Sequence, residues 1–399
     1  MPQQLICSTP CSSRSVAAEY ESSNQKMAAT SLHICLLLFH VLLATAGKSS
    51  ATAVCSSTDR GALLEFRSSL SDPYIGVFSS WTGDDCCNNW FGVACDPETG
   101  RVSDLTLRGE SEDPILTRAG RSGLMTGRIS PAICRLDHLS TLIIADWKQI
   151  TGSIPSCITS LSALRILDLV GNRLSGSLPH DIGKLSHLTV LNIADNQISG
   201  SIPNSLTQIT GLMHLNLANN QISGPLPYNF PNLNMLSRAL LGRNQISGEI
   251  PASIGFMNRL SDLDLAENRL SGSIPASLGS MSVLSSLYLD SNHLSGGIPA
   301  MLLGSKGLGI LNLSRNVLDG KIPDAFTSRS YFTSLDLSFN KLQGEVPKTL
   351  LTAEYIGHID LSHNHLCGRI PAGSPFDHLD AASFANNDCL CSWPLKSCQ

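Results

Sequence analysis

The sequence lacks a basic excess: its 399 residues hold 27 Lys and Arg against 32 Asp and Glu, for a net charge of −5. A nucleic-acid backbone asks for clustered Lys and Arg, and no such stripe is present. No G-x-x-x-x-G-K-S/T phosphate loop and no DNA-binding helix motif occurs either. Long apolar runs are also scarce. "SLHICLLLFHVLLATA", residues 31–46, stands alone, and it is too short to cross a bilayer comfortably. With Ala44, Ala46 and Gly47 at its end it reads as a secretory signal, cleaved after Ala46 or Ala53. The polar, Ser-rich stretch before Met27 makes Met27 the expected working start. A plastid transit peptide is the rival, opposed by Glu19 and Glu21. With no second apolar run, no membrane anchor is expected.

Cysteine is missing from the middle. Of thirteen, Cys7, Cys11 and Cys35 fall in the removable segment. The remaining ten are Cys55, Cys86, Cys87, Cys95, Cys134 and Cys157, then Cys367, Cys389, Cys391 and Cys398. An even number gathered at the two ends suits disulfide staples in an oxidising compartment. Cys389-Leu-Cys391 lacks zinc-knuckle spacing. Adjacent Cys86 and Cys87 do not readily pair with each other, so the expected bridges are Cys55–Cys86 and Cys87–Cys95 in front. Cys367–Cys389 and Cys391–Cys398 are expected behind, and Cys134–Cys157 across neighbouring coils.

What is there is a repeat. From Leu164 the chain follows L-x-x-L-x-L-x-x-N-x-L-x-G-x-I/L-P, as in "LRILDLVGNRLSGSLP" (164–179) and "LSDLDLAENRLSGSIP" (260–275). The Asn recurs every 24 residues as Asn172, Asn196, Asn220, Asn244, Asn268, Asn292, Asn316, Asn340 and Asn364. Counting back places Lys148 in the same position. A first, interrupted unit begins at "VSDLTL" (102–107), with an insertion over 109–122, which makes eleven units. In x-x-L-x-L-x-x the two leucines share one side of a strand and the residue between them faces the other way. One unit cannot bury them alone; stacked units can. Asn carries both donor and acceptor and so can satisfy the backbone where each strand turns. The 32 Gly and 20 Pro fall at periodic turn positions, which excludes low-complexity disorder as their explanation. "DRGALLEFRSSL" (59–70) reads as a capping helix with Leu63, Phe66 and Leu70 on one face and Asp59 as N-cap.

The L-x-G-x-I-P half-repeat, "SSWTGDDCCNNWFGVAC" and the Cys-rich tail resemble the plant-specific class of extracellular leucine-rich repeats. "ADWKQITGSIP", "MLSRALLGRN" and "LCGRIPAGSPFDHLDAASF" are similar to the DNA-damage-repair/toleration type within that class. Size and caps are similar to those of polygalacturonase-inhibiting proteins. The resemblance implies an α/β solenoid, a right-handed superhelix of about eleven 24-residue units with a parallel concave sheet and disulfide-bonded caps. The divisions are a signal segment 1–53, an N-terminal cap 54–101, repeats 102–366 and a C-terminal cap 367–399. It also implies a secreted, cell-wall monomer that binds a protein through the concave face, in defence or signalling. Polygalacturonase inhibition and a structural, carbohydrate- or ice-binding wall role are the alternatives. A repair role follows only from the type's name.

The concave positions follow from the register. Between the leucines stand Thr106, Ile144, Asp168, Asn192, Asn216, Leu240, Asp264, Tyr288, Asn312, Asp336 and Asp360. Just before the ladder residue stand Gly109, Trp147, Gly171, Asp195, Asn219, Arg243, Glu267, Ser291, Arg315, Phe339 and His363. Apolar bulk on this polar face makes Trp147, Tyr288 and Phe339 partner-binding candidates, with Arg243, Arg315, Asp264 and Asp290 beside them. Trp147 could instead seal the front cap, and Leu240 could tuck inward. Asn312-Leu-Ser314 is the N-glycosylation acceptor of the mature chain. His358, Asp360 and His363 fall at variable positions and offer no fourth metal ligand. No cofactor is implied. The carboxylates recur along an open surface rather than converging in a pocket, so no enzyme is expected, even from Asp264 and Asp290 read as a sugar-cleaving pair.

Overall fold

The computed structural model describes residues 55–109, 123–373 and 378–398. The signal segment and residues 110–122 of the insertion lie outside them. Each repeat contributes a short strand to one long sheet of twelve. The antiparallel Val93–Cys95 of the front cap comes first, followed by eleven parallel strands from Val102–Arg108 to Ile359–Asp360. Register is strict: Leu191 pairs with Leu215, Leu215 with Ala239 and Ala239 with Leu263, each side chain wholly or almost wholly buried. One apolar core therefore runs from Phe66 in the front helix to Phe384 in the back cap. Burying each leucine stabilises by roughly 1.5–3 kcal/mol, and only a neighbouring unit can supply the cover.

A second sheet, absent from the sequence reading, forms from the L-x-G stretches. It has ten strands, parallel from Met125–Arg128 through Val317–Leu318, with Leu70–Ser71 antiparallel at its front edge. The glycine at or next to the end of most of these strands takes positive φ, as at Gly176 (82°) and Gly272 (78°), where a side chain would strain the turn. Short 3-10 turns such as Ala252–Phe256 and Ala276–Ser280 begin just after the repeat proline and close the third side.

The Asn ladder works as a shared hydrogen-bond column. Asn268 Nδ2 lies 3.1, 3.2 and 3.1 Å from the carbonyl oxygens of Leu241, Leu265 and Ala266, and its Oδ1 accepts from Ile246 N at 2.9 Å. Each Asn thus ties its own turn to the unit before it. The column continues into the back cap: Asn387, 23 residues after Asn364, donates to Leu361 O (3.0 Å) and accepts from Leu366 N (3.0 Å).

At the front the 24-residue count fails by one. Leu142 pairs with Leu167, 25 residues on, whereas Leu167 pairs with Leu191. The extra residue is Lys148, which takes φ 61° as the first residue of the second-sheet strand Lys148–Gly152. Three expectations change together. Lys148 does not hold the ladder position; Trp147 does, fully buried, with its indole Nε1 donating to Leu107 O at 3.0 Å. That is the bond by which Asn268 reaches Leu241 O. Trp147 is therefore no partner-binding residue: it faces the core, packed on Gly123, where even a Cβ would lie 2.6 Å from the ring. The outward strand residue is Ile143, paired with Asp168, while Ile144 is buried. The slip leaves a mark one unit on. Asn172 Oδ1 is buried without a hydrogen-bond partner, although Asn196 and Asn220 accept from Leu174 N and Ile198 N.

The caps seal both ends. The front helix spans Ser57–Ser68, so Asp59 lies in its first turn and is not the N-cap. Buried completely, Asp59 accepts two bonds from Arg101, each 2.9 Å, and one from Val102 N at 2.9 Å, locking the helix to the first repeat strand. Trp81 stacks on Trp90 at 5.1 Å beneath it. Disulfides join Cys55 to Cys86, Cys87 to Cys95, Cys134 to Cys157, Cys367 to Cys389 and Cys391 to Cys398. Cys134 and Cys157 sit in successive 3-10 turns, Pro131–Arg135 and Ser156–Ser160. Replacing both by Ser is expected to cost roughly 2–4 kcal/mol. The denaturation midpoint should fall, with lost amide-exchange protection concentrated over residues 125–160.

Candidate functional site

The outer row of the long sheet is largely short and polar, and it is broken by bulk at Ile143, Leu240 and Tyr288. Leu240 keeps its outward place, half-buried between Asn216 and Asp264, because Ala239 fills the inward position without a change of register. After each strand the residue before the ladder Asn adopts positive φ, 70° at Gly171 and from 52° at Glu267 to 56° at Arg243 and Ser291 among the others. That conformation turns the ladder Asn inward and leaves Arg243, Arg315, Phe339 and His363 exposed in a rim beside the sheet. Units about 4.8 Å apart bring consecutive rim side chains into contact.

Two features dominate this face. The first is a stack along the rim. The Arg315 guanidinium lies 4.3 Å from the Phe339 ring centroid, and the His363 ring stacks on the other side at 3.9 Å with an interplanar angle of 11°. His363 is held in turn by Ser362 Oγ at Nδ1 (3.1 Å) and Asn386 Nδ2 at Nε2 (2.8 Å). The register puts all three residues on the rim, but it does not specify their mutual stacking. Three positions at 24-residue spacing holding Arg, Phe and His were the available signal.

The second is an acidic depression of about 330 Å³ lined by Asp195, Asp264, Glu267, Tyr288 and Asp290, with Arg243 at its edge. Arg243 is paired with Glu267 at 2.9 Å. Asp264 accepts from Ala266 N at 3.0 Å, and Asp290 from Ser291 Oγ at 3.2 Å. Burial is the main reason both carboxyls are held above their ordinary value of 3.8. A carboxyl whose folded pKa is raised binds more protons folded than unfolded, so its ionisation subtracts stability as pH rises through that window. Asp264→Asn or Asp290→Asn should therefore raise the melting temperature at neutral pH, and the gain should vanish as pH falls towards 3.8. Melting curves at several pH values check this.

The ligand atoms of His358, Asp360 and His363 are not gathered closely enough to share one ion. Among the described residues the one group close enough to share an ion is Cys55, Cys86 and Cys87, whose sulfurs are in disulfides. No helix among them is long and apolar enough to cross a membrane.

The leucine-rich-repeat N-terminal domain model matches residues 56–96, and leucine-rich-repeat models match 162–222 and 259–281. The DNA damage-repair/toleration protein DRT100 of Arabidopsis thaliana is 56% identical over 126 residues, 31% of this chain and 34% of that protein. A polygalacturonase inhibitor of Vitis vinifera is 33% identical over 132 residues, 33% of this chain and 35% of the inhibitor. The chain thus matches about a third of the length of these two relatives. The crystal structure of a plant ice-binding protein superposes with a TM-score of 0.66 at 28% identity, covering 86% of this chain and 98% of the other.

Proposed function

The chain is a plant-type leucine-rich-repeat protein of the extracellular kind, and from that premise we propose that it is secreted to the cell wall and acts there by binding a partner protein. The contact surface is the outer face of the long sheet together with its rim, and no catalytic step is involved. One observation carries this reading: a rigid Arg315–Phe339–His363 stack stands exposed beside an acidic depression walled by Tyr288. Arg and Tyr are among the side chains that most often carry interface energy, and the stacked rim holds Arg315 and Phe339 in place before a partner arrives. The repeat fixes the backbone of each and their mutual stacking holds the side chains, so little ordering remains to be done on binding.

Inhibition of a fungal polygalacturonase is the sharpest form of this proposal, favoured by the likeness to the Vitis vinifera inhibitor. Titrating the mature chain into such an enzyme should slow hydrolysis of polygalacturonate. Phe339→Ala or Arg315→Ala should each weaken the block by about 30-fold, the effect of a hot spot worth 2 kcal/mol. Full inhibition by both variants would remove the rim from the contact. A wall-binding or ice-binding role is the second reading, favoured by the likeness to the plant ice-binding structure. It would show as thermal hysteresis in solution that is insensitive to those substitutions. The DNA-related name of the Arabidopsis relative is not carried over, because a chain of net charge −5 with an Asp-rich sheet face would repel a polyanion.

A further inference from the structure

We propose that Asn312 carries an N-linked glycan that covers the long-sheet face at the ninth of its eleven parallel strands and leaves the partner the rim and the units in front of it. This rests on the secreted reading, since the modification takes place only inside the secretory pathway. Asn312-Leu-Ser314 is the sole N-x-S/T triplet in the whole sequence, and it falls on the outward row, paired with Tyr288 on one side and Asp336 on the other. Asn312 is half-exposed. Its Oδ1 accepts from Ser314 N (3.1 Å) and Ser314 Oγ (2.8 Å), which orients the amide nitrogen away from its own turn. At Asn192, by contrast, the nitrogen is taken up by Asp168 Oδ1 at 3.0 Å.

The donor is a polyprenyl-diphosphate-linked oligosaccharide. Asn312 Nδ2 forms a bond to the anomeric carbon of the first N-acetylglucosamine and loses one proton. The bond from that carbon to the diphosphate oxygen breaks, and the polyprenyl diphosphate leaves. Ser314 is buried in the folded chain, so transfer occurs on the nascent chain before the neighbouring units stack. Once folded, the first sugar lies one strand, about 4.8 Å, from Tyr288, where the half-exposed phenol ring offers it an apolar face. Arg315, Phe339 and His363 on the rim stay open to a partner.

The test is secretion of the full chain from plant cells, followed by peptide mass spectrometry with and without a peptide-N-glycanase. The expected result is a mobility shift on enzyme treatment, with Asn312 converted to aspartate and no shift in Asn312→Gln or Ser314→Ala. Secreted protein with unmodified Asn312 would overturn the glycan and leave the compartment reading standing. Protein retained inside the cell with residues 1–46 intact would overturn both. If Asn312→Gln misfolds, Ser314→Ala still reports loss of the glycan, and Ser314→Thr, which keeps the acceptor triplet, should retain the shift.

Discussion

Replacing Trp147 by Ala should lower stability by about 3–5 kcal/mol, the range for truncating a large buried aromatic. The ring is fully enclosed, and its Nε1 holds Leu107 O. Its loss empties the joint between the first repeat and the regular solenoid and leaves that carbonyl without its indole donor. Because each unit contacts only its neighbours, the damage should be local. Amide-exchange protection should fall over residues 102–109 and 123–152 and persist beyond Asn196. Trp147→Phe should recover most of the packing but not the hydrogen bond. A Trp147→Ala protein as stable as the parent would mean the ring is not the seal described here.

Asn268→Ala should cost more than Asn172→Ala by about 1–3 kcal/mol, the penalty for one buried group left unpaired. The two residues occupy equivalent ladder positions, so propensity and burial largely cancel between them. In Asn268 the Oδ1 is the acceptor for Ile246 N, and truncation strands that donor. The carbonyls fare better, since Leu241 O and Leu265 O also accept from Asn244 and Asn292. In Asn172 the Oδ1 already lacks a partner, so truncation strands no donor and removes an unsatisfied acceptor. Denaturant unfolding of the two variants, compared at equal slope, gives the difference directly. Equal losses would place a donor on Asn172 Oδ1.

Periodicity made most of the fold readable. Nine Asn at constant spacing identify the inward and outward residues of nine strands without reference to any contact. It misleads where one unit has a different length. At "IIADWKQI" the 24-residue count puts Lys148, which has no acceptor, where every later unit has Asn, and only strand pairing reveals that Lys148 is additional and that Trp147 has the ladder place. The same blindness hid Asn387, one residue early in the back cap. Tyr288 and Phe339 could be listed as outward-facing from the register. That Phe339 is gripped between Arg315 and His363 depends on side-chain torsions, which no repeat pattern specifies. Asp264 and Asp290 were recognisable as neighbouring acids, but the burial that raises both pKa values belongs to the folded face, where Leu240 and Tyr288 flank Asp264.

The central claim is that a protein partner docks on the rim and the adjoining sheet. Its most direct test places a photo-reactive residue at position 339 and, as control, at Phe256, an exposed aromatic in the 3-10 turn on the third side of the coil. The two mature chains are irradiated in cell-wall fluid. A discrete protein adduct at 339, lost on competition with unlabelled parent chain and absent at 256, is the expected result. Adducts at 256 alone, or none competed at 339, would contradict it.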